Sequence, residues 1–145
     1  MGNEHKLSEI GVALETVLNN SNLNPVGGVW LNLESMVPEL PAILIEPQVN
    51  QREMQQTGFT TQNKFIVHFT VLYSKLGSER DTNQDCLKLA ENLETVLHNN
   101  RRLGGRLIHS LVNSIELGAA NRQNVTIRAA RLVWTGMSKT RLPPL

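Results

Sequence analysis

Cys86 and four scattered histidines are the residues of this 145-residue chain with the most chemistry available to them. A thiolate at Cys86 would be a nucleophile, and a place in the first turns of a helix would favour it. Attack also needs a nearby base, and no motif around Cys86 supplies one. Unpaired cysteine is among the most buried residue types, so core packing is the expectation. His5, His68, His98 and His109 do not stand at metal-ligand spacing from one another or from a carboxylate. His68 and His109 fall within strand-like runs and read as sheet histidines. Asp81 and Asp85 lie one helical turn apart and could share a cation, but complementing the N-terminus of a helix is the favoured reading. Ser110 and Ser114 lack the Gly-x-Ser-x-Gly setting of an activated serine. The expectation is a chain with no catalytic residue, no metal site and no cofactor.

The glycine pairs exclude a further chemistry. Gly27-Gly28 and Gly104-Gly105 each precede a strand-like run. A phosphate cradle needs the glycines to lead into a helix N-terminus instead. Turns with positive φ are the simpler expectation. Arg101, Arg102 and Arg106 cluster beside the second pair, and Arg122, Arg128 and Arg131 follow. These arginines suit either a solvated sheet edge, where charge discourages stray pairing, or a protein interface. Aromatic residues make up only 4% of the chain, too few for a base-stacking platform. The net charge of +1 likewise gives no electrostatic case for general binding to nucleic acid or membrane.

Length and composition bound the positioning scaffold. The chain fits one domain, residues 1–145, large enough to hold a core without staples. A single cysteine excludes an internal disulfide, and a reducing, cytoplasmic origin is the expectation. No apolar run approaches a membrane span, and the polar start Met1–Lys6 has no signal-peptide core.

Hydrophobic periodicity supplies the elements. Leu7, Ile10, Leu14, Val17 and Leu18 predict a helix ending at Asn19-Asn20. Val29–Leu33 and Ala42–Glu46 are short strand candidates. Gln48 to Gln62 shows no clear period and reads as a long hairpin loop or an extended arm, a natural place for a partner contact. Lys64–Tyr73 alternates strictly, with Phe65, Val67, Phe69, Val71 and Tyr73 on one face. Ile66 and Leu72 leave its second face partly apolar, to be covered by a helix or a neighbouring subunit. A second helix starts after Ser78 or Asp81 and runs to about His98, with Cys86, Leu89, Ala90, Leu93, Val96 and Leu97 on its apolar side. A strand over Arg106–Leu117, a polar turn over Gly118–Asn124 and a last strand over Val125–Thr135 follow. That last strand presents Val125, Ile127, Ala129, Arg131 and Val133 on one face, with Arg131 emerging at the rim or pairing with Glu116. Residues 139–145 form a C-terminal tail. The run Leu14–Leu18 recurs at Leu93–Leu97 as a repeated way of ending an amphipathic helix. The fold class is α+β: a mainly antiparallel sheet of four to five strands, two helices packed on it, and a long β-hairpin arm.

This order of elements resembles the small phage tail-terminator (tail-completion or neck) proteins. The residues that carry the resemblance are Leu93–Leu97, Leu103-Gly104-Gly105-Arg106-Leu107, Leu111–Gly118 and Ile127–Trp134, with the early helix and Pro41–Glu46 before the hairpin. The resemblance implies a ring, usually hexameric, at the head-proximal end of a tail tube. Such a ring stops tube polymerisation and offers a docking surface for the head. Its partners are copies of itself, the tail tube protein and head-tail connector or neck proteins, and DNA passes through its channel without specific binding. No residue is catalytic in that role, and the virion is where the protein would reside after assembly in the host cytoplasm. Candidate contact residues are Arg52, Met54 and Phe59 on the arm, Arg101, Arg102 and Arg106 at the corner, and Arg141 and Leu142 on the tail. Two other readings stay open: another head-tail adaptor ring, or a non-viral dimeric α+β ligand-binding or regulatory domain.

Overall fold

Two amphipathic helices bury their apolar stripes against one side of a five-stranded sheet. The structure, a computed structural model, describes residues 6–21, 23, 28–32, 40–54, 60–73, 79–122 and 125–141. In chain order the elements are α1 (Leu7–Asn20), β1 (Gly28–Leu31), β2 (Ala42–Met54), β3 (Thr60–Tyr73), α2 (Glu79–Asn99), β4 (His109–Arg122) and β5 (Val125–Arg141). The strand order is β1-β2-β3-β5-β4. All pairs are antiparallel except β1 on β2. The α+β class read from the sequence is the observed one.

Spacing of three and four residues creates each helix's buried stripe. In α1 the stripe is Ile10, Ala13, Leu14 and Leu18; in α2 it is Cys86, Leu89, Ala90, Leu93 and Leu97. Gly11 lets α1 lie close to the sheet, since a Cβ there would meet Leu31 Cδ1 and Pro47 Cγ at 3.2 Å. The sheet answers with Ile43 and Ile45 from β2, Phe65, Val67, Phe69 and Val71 from β3, and Ala130, Leu132 and Trp134 from β5. Phe69 and Trp134 meet edge to face, with centroids 6.5 Å apart and an interplanar angle of 83°. Each such fully buried aliphatic or aromatic side chain contributes about 1.5–3 kcal/mol.

The helix-facing row of β5 is the one that the sequence reading did not single out. Ala130, Leu132 and Trp134 point at the helices, whereas Ile127, Ala129, Arg131 and Val133 lie on the opposite face. Both rows are apolar in sequence, and the row holding the indole takes the core. Gly136 makes room for it: a Cβ there would stand 2.5 Å from Trp134 Cη2 and 2.9 Å from Leu107 Cδ1.

Three further boundaries differ from expectation. Val49–Met54 and Thr60–Gln62 are paired strand, not loop, with Met54 opposite Thr61. β3 in this stretch is also paired to β5, Thr61 with Thr140 and Thr60 with Arg141, so Thr60–Gln62 lies within the sheet. Gly118–Arg122 belongs to β4, and Lys139–Arg141 belongs to β5 rather than to a tail. Backbone pairing sustains these ends. A buried polar ladder helps on the helix side: Asn63 Nδ2 donates to Thr140 Oγ1 at 2.7 Å and to Ser138 Oγ at 3.3 Å.

Candidate functional site

The turn after α2 builds the arginine corner. Leu103, Gly104 and Gly105 all have positive φ (49°, 68° and 89°), the conformation expected for the glycine pair. A left-handed leucine costs roughly 1–2 kcal/mol, and burial of its side chain to 2% exposure offsets that cost. Gly28 is not among the positive-φ glycines; it opens β1. The corner closes through Leu107 N–H to Arg102 O (2.9 Å) and Gly105 N–H to Arg102 O (3.0 Å). Ser110 Oγ donates to Arg101 O at 2.9 Å, which ties the corner to the start of β4. Arg101, Arg102 and Arg106 are exposed, and Arg106 Nη1 donates to Leu103 O at 3.1 Å.

Arg52 and Met54 lie on β2 and are exposed, Met54 to 65%. Arg141 ends β5 opposite Thr60. Phe59 and Leu142 lie outside the described residues. The sheet register relates these positions. Gln51 stands opposite Lys64, Lys64 opposite Met137, and Met137 opposite His109. Arg52 is therefore level with the start of β4, where the arginine corner is anchored. The two candidate groups sit at one level of the sheet, on its opposite edges.

The face away from the helices supplies a feature that the sequence reading did not assign. Val49, Ile66, Thr135 and Leu111 align in one row across β2, β3, β5 and β4. Leu111 is 53% exposed. Charges flank the row: Glu46, Glu116 and Arg131 on one side, Lys64 and Lys139 on the other, with Glu53 near the edge. Arg131 is exposed here and stands opposite Glu116. It shares this face with Ile127, Ala129 and Val133, which agrees with one expectation. Its register with Glu116 agrees with another. Thr70 Oγ1 donates to Glu46 Oε1 at 2.8 Å beside them. Leu111 could have signalled this face, because β4 carries a leucine there where a fully solvated face would carry none.

Two of the chemically capable residues, Cys86 and His98, make contacts within the fold. Cys86 is fully buried, its Sγ 4.0 Å from Val71 O, and burial pushes the thiol up to about 11. A thiol so placed is a poor nucleophile. His98 Nε2 accepts the Val112 N–H at 3.2 Å. His68 is half-buried on the open face and His109 is exposed; His5 lies outside the described residues. Asp81 and Asp85 occupy the first turns of α2. Among the described residues, no three His, Cys, Asp or Glu side chains gather as a metal site, and no helix is long and apolar enough to cross a membrane. The clefts are open ones, such as a cavity of about 570 Å³ between Val12, Ala13 and Thr16 of α1 and Leu103, Gly104 and Arg106. The chain matches no known family model, and no curated protein is significantly similar to it.

Proposed function

We propose that this chain is a structural virion protein of the tail-terminator kind. It forms a ring at the head-proximal end of a phage tail tube, ends tube growth, and gives the head its docking surface. One observation carries the reading: the exposed contact candidates fall on opposite edges of one sheet, Arg52 and Met54 on β2 and the arginine corner beside β4. Two different patches on opposite sides of a subunit make a heterologous interface, and such an interface closes into a ring when its rotation allows. A symmetric dimer would use one patch twice instead.

The electrostatics suit the role. With a net charge of +1 and acids interleaved with bases on the open face, the protein offers no basic stripe to hold DNA phosphates. In this reading the partners are further copies of the chain, the tail tube protein and the neck proteins, and contact rather than catalysis does the work. Deleting Gln51–Gly58 tests it. The deletion removes the end of β2 and should leave a folded monomer by circular dichroism while abolishing annular particles in negative stain. Unchanged particles would overturn the reading.

A further inference from the structure

Two stretches of strand edge carry no partner strand among the described residues, and they lie on opposite sides of the sheet. β1 covers the outer edge of β2 only along Ala42–Ile45. Pro47 and the extra residue Gln48, whose Nε2 donates to Glu46 O at 2.9 Å, interrupt the next part. Val49–Met54 is then regular strand, paired to β3 alone and largely exposed. On the other side, the end of α2 occupies the first part of β4, where His98 takes the Val112 amide and Arg101 O takes the Ser110 hydroxyl. After the bulge between Val112 and Ser114, the stretch Ser114–Ala119 is paired to β5 alone, and Glu116–Ala119 is exposed. Unpaired edges are templates for another strand.

We infer that Ser114–Ala119 of one copy adds to Val49–Met54 of the next, so that the sheets of neighbouring subunits join into one continuous wall around the ring. This inference rests on the ring reading above and deepens it. The occupant is a second copy because the two edges complement each other. β2, β3, β5 and β4 alternate in direction, so a β4 edge brought to a β2 edge with the helices on one side pairs antiparallel. Face matching and charge then select a register. Glu116 lies on the open face with Val49, Gln51 and Glu53. Pairing it with Glu53 would set like charges opposite each other, which is unfavourable, and pairing it with Val49 would bring Glu53 opposite Val112, whose amide His98 already holds. Pairing it with Gln51 sets Val49 opposite Gly118 and Glu53 opposite Ser114, with no like-charge contact. Asn50, whose buried Oδ1 has no hydrogen-bond partner among the described residues, then falls beside Leu117 at the join.

The geometry also fits a closed wall. The open part of β4 lies level with Ala42, Leu72 and Ala129, and that of β2 lies level with Lys64 and Met137. Joining them staggers successive copies along the strands, and barrel closure requires such a stagger. Four long strands at ~4.8 Å spacing span about 19 Å, so six copies give a wall roughly 37 Å across between backbones before any strand tilt. The helix layer needs the longer outer circumference. The open face therefore turns toward the hole, with Glu46, Glu53 and Glu116 balanced by Lys64, Arg131 and Lys139.

Oxidative cross-linking of the full chain carrying Gln51→Cys and Glu116→Cys tests this. The expected result is a ladder of covalent oligomers on a non-reducing denaturing gel, from a sample that light scattering shows to be a ring. Hydrogen exchange on the unmodified chain checks it without relying on the variant: amides of 49–54 and 114–119 should slow by about tenfold or more on assembly. A ring that gives no ladder and no protection overturns the edge pairing and leaves the ring standing. A chain that never forms a ring removes both.

Discussion

His98 Nε2 accepts the backbone N–H of Val112 at 3.2 Å, so the last turn of α2 closes the first part of the β4 edge. The contact fixes where α2 ends against the sheet, and through Ser110 and Arg101 it fixes the arginine corner. His98→Ala leaves the Val112 amide without this acceptor. The expected cost is about 1 kcal/mol in urea unfolding, with faster hydrogen exchange confined to Val112 and its neighbours. Unchanged exchange at Val112 would show that the bond contributes nothing in solution.

Gly136→Ala should be far more damaging than an exposed-strand glycine change. The new methyl group would enter the space held by Trp134 and Leu107, both buried. Overpacking of this kind costs typically about 1–3 kcal/mol. A thermal melt should show the loss, accompanied by a shift in tryptophan fluorescence. Gly118→Ala is the control, since a Cβ there meets nothing within 4 Å. Equal effects at the two positions would contradict the account of the indole.

The helices, β3 and the glycine turn were legible because one face of each is covered. A covered face imposes a period on the sequence, as Ile10, Leu14 and Leu18 or Phe65, Val67 and Phe69 show. Val49–Met54 is largely exposed, so no period marks it, and Gly118–Arg122 shows none either. Their pairing is a property of the backbone and of neighbouring strands. The face of β5 was ambiguous for the opposite reason: Ile127, Ala129 and Val133 are as apolar as Ala130 and Leu132. Trp134 with Gly136 was the discriminating signal, a large ring followed two residues later by the space to hold it. Of the contact candidates, the arginine corner was readable from its clustering next to Gly104-Gly105. That Arg52 lies level with it across the sheet needed the register.

Cys86 gives a pH prediction. Burial raises its folded-state pKa from 9.0 to about 11, so the thiol favours the folded state fully below about pH 9. That contribution falls as pH rises from 9 to 11, because the unfolded chain ionises first. The total at stake is on the order of 2–3 kcal/mol. Cys86→Ala should flatten the decline of urea-unfolding stability across that window, and iodoacetamide should label the native wild-type chain only on the timescale of unfolding. Rapid labelling at pH 8 would contradict the burial.

Asn63 holds the far ends of β3 and β5 together through Ser138 and Thr140. Asn63→Leu removes the donor and leaves two hydroxyls facing an apolar side chain, at a cost of about 1–3 kcal/mol. Exchange should accelerate at Thr60–Lys64 and Met137–Arg141 and remain slow at Phe69. Uniform acceleration would mean that the sheet opens as one unit.

Replacing Arg101, Arg102 and Arg106 together by Glu should leave the melt nearly unchanged, because surface substitutions usually fall within about 0.5 kcal/mol. Sedimentation should show loss of the assembled species. Normal assembly would assign these arginines to solvent.

The most direct measurement is the native mass of the purified full-length chain by light scattering over a wide concentration range, with negative-stain images of the same sample. The account predicts a species near six times the 16.2 kDa chain mass, seen as annular particles with a central hole. A discrete dimer at every concentration would contradict it.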